Sequence, residues 1–529
     1  MSLNSQSEYF YYTLILLTAG VLCFMNLGGH PIYILDEAKN AEAAREMFLN
    51  NNWITPTFNG ELRTDKPPLH YWFMILSYKL FGVNAFSARF FSAFFGVMTV
   101  ISTYHFTKKF SGKKVGLITA FILCSAIFFM QEFHLAVPDP YLIFFVSFGL
   151  FQFYNFYLFG KRSSWLLFYI ALGLGVLAKG PIAIALPGII ILSFLLFKRD
   201  FNWSSIKRIN PFIGLALSIS IALPWFYVVH QATNGQFTHG FFIEHNLQRF
   251  GGEMEGHGGL PFVTWAFVLL GLLPYSFFII QGFMQGWKQR NTNDFTLFSF
   301  IVASIFIIFF SISGTKLPNY PMPSYPFIAV LIAIYLNGIL DKSISLKYYK
   351  LSLWVLFIIT LAMPIAGYIA LTYVETQLYS ARFSSLFLII LPAGCVTALF
   401  YLKRKKWIEC MISIGLCSMF LTVELFSFVY PSLVTQSPVS MAKGVMSSST
   451  PTILYKGYDP AFLFNFQRTF PLAENSQEVI DFLKQNNDAI AITKEKFYEK
   501  DFGNLRTEIL LKQKALFENY TIVIFTLNE

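Results

Sequence analysis

Apolar residues along this chain come in long blocks and do not alternate with polar ones. A run such as 182–197 is apolar on every helical face, and blocks of this kind recur at about 17 to 25 residues, each long enough to cross a ~30 Å hydrocarbon layer as a helix. We place them near 11–28, 86–107, 115–131, 140–159, 164–178, 181–197, 210–230, 262–284, 295–312, 324–340, 351–374, 385–402 and 407–431. A transmembrane barrel would instead need alternating segments of ~10 residues. The stretch 69–81 is apolar but short, and is expected to lie in or re-enter the interface. The first block, 12–27, has no basic region before it and no small-residue cleavage site after it, so it reads as a retained span. After residue 433 the pattern changes. Glu, Lys, Asn and Asp become frequent, and strand-like runs at 452–455, 489–493 and 521–525 accompany a helical stretch at 476–485. The expected fold is an all-α polytopic membrane bundle of about thirteen helices over 1–433, followed by a small soluble α/β domain over 434–529.

Composition agrees with a bilayer protein: of 529 residues 55% are hydrophobic, 19% aromatic and only 13% charged. The net charge of +10 would suggest nucleic acid if the cations clustered on a soluble surface. They sit instead in alternate loops: Lys108, Lys109, Lys113 and Lys114; Lys161 and Arg162; Lys198, Arg199, Lys207 and Arg208; Lys288 and Arg290; Lys342, Lys347 and Lys350; and Lys403 to Lys406. This is the positive-inside pattern, so the charge reports topology and no nucleic-acid partner is expected. These loops and the N-terminus are assigned to the cytoplasm. The loops 29–85, 231–261 and 313–323, the Pro138-Asp139-Pro140 turn and the tail are assigned to the opposite, periplasmic-type face. The five cysteines lie within apolar spans without a C-x-x-C pair, which excludes a disulfide framework or a cysteine metal site.

The outer loops hold the chemistry. Asp36 and Glu37 open a short helical stretch directly after the first span. Helix capping would account for both, but a carboxylate at that point can also meet a lipid-borne donor and a water-side acceptor. Asp65-Lys66-Pro67-Pro68 pins an acid beside a base. This is either a solvated charge pair or part of a phosphate site, where a carboxylate holds a hard cation and an ammonium neutralises phosphate oxygen. Asp139 stands at a span boundary, again with capping as the alternative. Lys179 interrupts an apolar stretch, where snorkelling is the default role. His245 and Arg249, four apart, would share a helix face as metal ligand and phosphate clamp. Lys316 and Tyr320 add a cation and a phenol, His257 sits between glycines, and Glu424 is an intramembrane carboxylate with no assigned partner.

The ordered set Asp36-Glu37 through Arg45-Glu46-Met47, Trp53-Ile-Thr-Pro56, Asn59-Gly60, Lys66-Pro67-Pro68, Tyr71-Trp72, Leu177-Ala-Lys179-Gly180-Pro181, Leu223-Pro224-Trp225, His245 to Phe250 and Lys316-Leu-Pro318-Asn319-Tyr320 resembles the lipid A aminoarabinose transferase family. That family is related to the protein O-mannosyltransferases and is of the GT-C glycosyltransferase type. The motifs cover about the first 340 residues. The resemblance implies thirteen spans with a periplasmic C-terminal domain, in the bacterial inner membrane. It also implies an inverting transfer of a sugar from undecaprenyl phosphate to lipid A, an envelope glycan or a protein. Asp36 would be the main catalytic carboxylate and Asp139 a second essential acid. Asp65 and His245 would hold a divalent cation, Lys66 and Arg249 would bind the donor phosphate, and Lys179 and Tyr320 would line the donor cavity. The chain departs from the family at Asp65, where Glu is usual, and at Lys39-Asn40, where Arg-Tyr is common. The first departure bears on metal distance and the second on which sugar or acceptor fits. A transporter or flippase of lipid-linked sugars is the alternative. It would call for repeated halves and polar groups at the bilayer midplane, and neither stands out here.

Overall fold

The computed structural model describes residues 3–248 and 258–528, with side chains from residue 8 onward. Among the described residues eight helices are long and apolar enough to cross a membrane: Ala85–Ser111, Asp139–Phe159, Trp203–Ala232, Asp294–Ile312, Met322–Leu340, Lys347–Val374, Thr376–Lys403 and Trp407–Val434. Shorter apolar helices cover Glu8–Phe24 and Ile182–Phe197. Two further expected spans fall on Arg162–Lys179 and on the broken pair Lys113–Ser125 and Ile127–Glu132. The chain is therefore an all-α membrane bundle with a small C-terminal sheet.

One expected span is not a straight rod. The block read as 262–284 is two helices, Val263–Gly271 and Tyr275–Lys288, bent by 116°. Pro274 lies in the break; it carries no N–H to donate, and its ring blocks the preceding turn, so an apolar run continues through it while the helix does not.

Large apolar side chains such as Leu223, Ile358, Leu361, Ile365 and Phe420 stay exposed on the flank of the bundle. A bilayer accommodates this, because lipid tails replace the core that a water-soluble protein would need. The basic loops meet at one end of the bundle, where Lys114 lies 2.6 Å from Asp341 and Lys198 lies 2.6 Å from Asp294.

The other end carries the long first loop and the sheet domain. The loop folds as a helix, Leu35–Leu49, then a two-stranded hairpin of β1 (Thr57–Phe58) and β2 (Glu61–Leu62), then a helix, Leu69–Phe81. Asn59 and Gly60 form its turn with φ of 53° and 80°, the left-handed pair that a two-residue hairpin requires. Glu46 holds this hairpin: its carboxylate accepts from the Thr57 hydroxyl at 2.6 Å and from the Asn59 and Gly60 N–H groups at 2.6 and 3.2 Å.

The domain's sheet has strands β3 (Thr452–Tyr455), β4 (Leu472–Ala473), β5 (Ile490–Lys494), β6 (Thr507–Lys514) and β7 (Thr521–Leu527) in the order β4-β3-β5-β7-β6. β3 pairs in parallel with β4 and β5, while β7 runs antiparallel to β5 and β6. The sheet domain is fastened to the first loop by backbone-directed bonds. Arg45 donates to the Gln467 carbonyl at 2.9 Å, Asn465 to the Ile32 carbonyl at 2.7 Å, and Asn59 to the Phe470 carbonyl at 3.0 Å.

Candidate active site at the loop end of the bundle

Asp36 is not a helix cap. Ile34 occupies the cap position of the Leu35–Leu49 helix without a side-chain cap bond, and Asp36 lies one residue inside the first turn. Its neighbour Glu37 is committed elsewhere. Arg89, fully buried, grips the Glu37 carboxylate at 2.6 and 3.0 Å and also donates to the Leu27 carbonyl at 2.7 Å and the His30 carbonyl at 3.1 Å. The Ala136 N–H donates to the same carboxylate at 3.0 Å. Glu37 thus ties the Asp36 helix to the end of the first span and to the segment leading to Asp139. Asp36, its side chain 47% exposed, is the acid left open.

Around Asp36 stand two cations. Arg63 Nη2 lies 3.6 Å and Lys66 Nζ 3.9 Å from Asp36 Oδ1. Lys66 is also 3.9 Å from Asp65, and Arg63 clasps Asp65 at 2.5 and 2.9 Å. Burial alone would raise the Asp65 pKa, but Arg63 and Lys66, with a further pull from His245, hold its carboxyl well below the usual range. Asn40 orders the layer beneath, accepting from Arg63 at 2.9 Å with the His70 ring at 3.4 Å.

A second cluster lies beside the first. Asp139 is the first residue of its helix. Pro138 takes the cap position and no side-chain cap bond forms, so the capping role does not apply here either. Its carboxylate, 4% exposed, pairs directly with Lys179 at the end of the Arg162–Lys179 helix, and Lys179 in turn sits 4.9 Å over the Tyr320 ring. Gly180 follows with φ of 96°, a conformation that releases the chain from the helix there. Glu132, which sequence reasoning passed over as the tail of a span, joins the two clusters. It is buried, and Asp139, Lys179, Asn319 and Asp36 all stand near enough to act on its carboxyl.

The structure thus brings Asp36, Asp65 and Lys66 together, and Asp139, Lys179 and Tyr320 together, with Glu132 between them. His245, on the π-helical turn Gly240–Gln248, is near enough to Asp65 to act on its charge. Arg249 and His257 lie outside the described residues. Lys316 is taken up locally, donating to the Ser313 carbonyl at 2.7 Å. Arg63 and Arg89 also escaped sequence reasoning. Arg89 carried one signal, a cation set early in the apolar block Ala85–Ser111; Arg63, among other charged loop residues, carried none.

As to a metal, no group of three or more His, Cys, Asp or Glu close enough to hold one occurs among the described residues. Asp65 and His245 offer two donors, and Arg63 bonds both oxygens of the Asp65 carboxylate, each of which keeps a lone pair of the hard kind a divalent cation takes.

Buried carboxylate–cation pairs at the mouth of an apolar bundle, topped by a sheet domain, define a polytopic membrane protein with a polar site at one end. Residues 65–228 match the model of the dolichyl-phosphate-mannose-protein mannosyltransferase family. An uncharacterised protein of Aquifex aeolicus is 31% identical over 364 residues, covering 67% of this chain and 69% of its own. The undecaprenyl phosphate-alpha-4-amino-4-deoxy-L-arabinose arabinosyl transferase of Pseudomonas aeruginosa is 26% identical over 396 residues, 73% of this chain and 70% of that one. Among solved structures, ArnT from Cupriavidus metallidurans bound to undecaprenyl phosphate superposes with a TM-score of 0.79 at 21% identity, covering 97% of this chain and 98% of that one. The archaeal oligosaccharyltransferase AglB from Archaeoglobus fulgidus superposes at 0.54 with 14% identity, covering 93% and 70%. The chain belongs to the ArnT-like family, relatives of the protein O-mannosyltransferases.

Proposed function

We propose that this protein transfers a sugar from undecaprenyl phosphate, or a closely similar polyprenyl phosphate, to an acceptor at the periplasmic face of the bacterial inner membrane, with inversion at the anomeric carbon. The observation that carries this reading is Asp36: a half-exposed carboxylate flanked by Lys66 and Arg63 at the rim of a lipid-facing bundle. The apolar bundle suits a donor with a long prenyl tail, and the loop end suits a polar acceptor. The names of the aminoarabinose transferases similar to this chain support the donor class.

In this mechanism Asp36 takes the proton from the acceptor oxygen as that oxygen attacks the anomeric carbon. The bond from the anomeric carbon to the phosphate oxygen breaks, and its electron pair leaves with polyprenyl phosphate. Lys66, with Arg249 from outside the described residues, neutralises the charge that grows on the leaving phosphate, so no general acid is needed there. Asp139 holds Lys179 at the donor cavity, and Tyr320 caps that lysine. Asp65 and His245 would hold a divalent cation, which would supply positive charge to offset that of the leaving phosphate.

Mass spectrometry of envelope lipids, glycans and proteins from cells with and without this gene tests the proposal. A sugar-sized mass lost from one envelope class on deletion, and restored by the wild-type gene, is expected. An unchanged envelope under conditions of expression would refute it.

A further inference from the structure

The carboxylate that offers its oxygens to a divalent cation is already gripped by a guanidinium. Arg63 Nε lies 2.5 Å from Asp65 Oδ1 and Arg63 Nη2 lies 2.9 Å from Asp65 Oδ2. A fork that engages both oxygens is the strong form of an arginine–carboxylate bond. The guanidinium is itself anchored on its far side. Nη2 also donates to the Asn40 amide oxygen at 2.9 Å and lies 3.6 Å from Asp36. Asn40 is fully buried and the Arg63 side chain is 6% exposed, so this arginine is packed into the site and does not hang in water. The transfer chemistry above gives it no task.

Charge balance decides what such a site can take in. Asp36 and Asp65 bring two negative charges, and Arg63 and Lys66, the latter 3.9 Å from each carboxylate, bring two positive ones. In the neighbouring cluster Asp139 is matched by Lys179. A divalent cation that enters a pair of bare carboxylates is neutralised by them. Entering this set, it leaves two positive charges uncompensated beside a buried guanidinium, where like charges repel strongly. Glu132, between the clusters, offsets at most one of them. Ligand atoms are present on Asp65, so the missing element is counter-charge. The phosphate of the donor brings it, on oxygens of the hard kind that the same cation prefers.

We propose that Arg63 is a resident counter-ion at Asp65: it keeps a divalent cation from settling in the empty site, and so makes the cation and the donor phosphate bind as a pair. This rests on the transferase reading, which supplies the phosphate, and it gives Arg63 a positioning role that acts through Asp65. The polar site then stays electrically matched while it waits, and the extra positive charge arrives only with the anion it is to serve.

The test is Mn²⁺ binding to the purified full chain in detergent, read from the electron paramagnetic resonance signal of the free ion. It is run with and without undecaprenyl phosphate, which carries the phosphate but no sugar to transfer. The wild type is expected to bind Mn²⁺ weakly by itself and about tenfold or more tightly with the lipid present, and by linkage Mn²⁺ should tighten the lipid by the same factor. Arg63→Gln should bind Mn²⁺ alone about tenfold or more tightly than the wild type and gain less from the lipid. Arg63→Lys, which keeps the charge but loses the fork, should fall between the two; if Arg63→Gln does not fold, this variant carries the comparison. Adding Asp65→Asn to Arg63→Gln should return Mn²⁺ binding to the wild-type level. Loss of a merely structural arginine would leave metal affinity unchanged or lower it. Unchanged or weaker Mn²⁺ binding in the Arg63 variants, a gain that survives the loss of Asp65, or tight Mn²⁺ binding by the wild type without lipid overturns the proposal. Undecaprenyl phosphate that binds to none of these proteins, with or without Mn²⁺, refutes the transferase reading instead, and tighter Mn²⁺ binding by Arg63→Gln would then still establish the counter-ion.

Discussion

At the scale of single residues, the site is defined by which charges are already spoken for. Glu37, Glu42 and Glu46 sit on the same helix as Asp36, yet each is tied down, by Arg89, by Arg45 at 2.6 Å and by the β1–β2 hairpin respectively. Only the arrangement in space shows this; in the sequence, position directly after the first span drew attention to Asp36 and Glu37 alike, and the family resemblance then pointed to Asp36. Arg63 was unreadable for the same reason, because two of its acceptors, Asp36 and Asn40, lie on a helix more than twenty residues away, and only Asp65 is its neighbour in sequence. Lys66→Ala is expected to weaken undecaprenyl phosphate binding about tenfold or more, read by titration of the purified protein.

At the scale of elements, the Glu37–Arg89 clamp decides where the Asp36 helix points. Both side chains are withdrawn from solvent, at 1% and 0% exposure, so removing one partner strands the other. Arg89→Met should cost about 3–5 kcal/mol, seen as a lowered unfolding temperature, and Glu37→Met in the same chain should recover part of the loss. If the single change were silent, the clamp would not be what positions the helix. The helices of the bundle were legible from apolar block length, and so were β3, β5 and β7 with the Ser476–Gln485 helix, because each carries its own hydrophobic signal. Two strands were not. β4 is two residues long, and β6, Thr507–Lys514, is an edge strand whose lysines and glutamate keep it from pairing further. The 116° bend was hidden as well, because hydropathy counts Pro274 inside an apolar run while backbone hydrogen bonding does not.

At the scale of the whole molecule, charge and chemistry are separated between the two ends. Basic loops gather at one end, where Asp341 and Asp294 pair with two of their lysines, and the Asp36 and Asp139 clusters with the sheet domain lie at the other; the gathering of the basic loops was readable because the positive-inside rule acts on loop composition alone. Single cysteines at Asn291, near the basic end, and Asn487, in the sheet domain, should label oppositely in intact cells. Asn487→Cys should react with an impermeant maleimide from outside the inner membrane and Asn291→Cys only after permeabilisation. The native cysteines are buried or half-buried and give little background. Reaction of both from the same side would remove the topology on which the mechanism stands. The convergence of distant loops was not readable in this way, since it depends on which helices neighbour one another. The most direct test of the central claim is the transfer rate of Asp36→Asn in the purified, lipid-reconstituted protein, measured beside its undecaprenyl phosphate affinity. The account predicts a rate lowered by about 10²–10⁴-fold with donor binding retained; sugar transfer at the wild-type rate would contradict it.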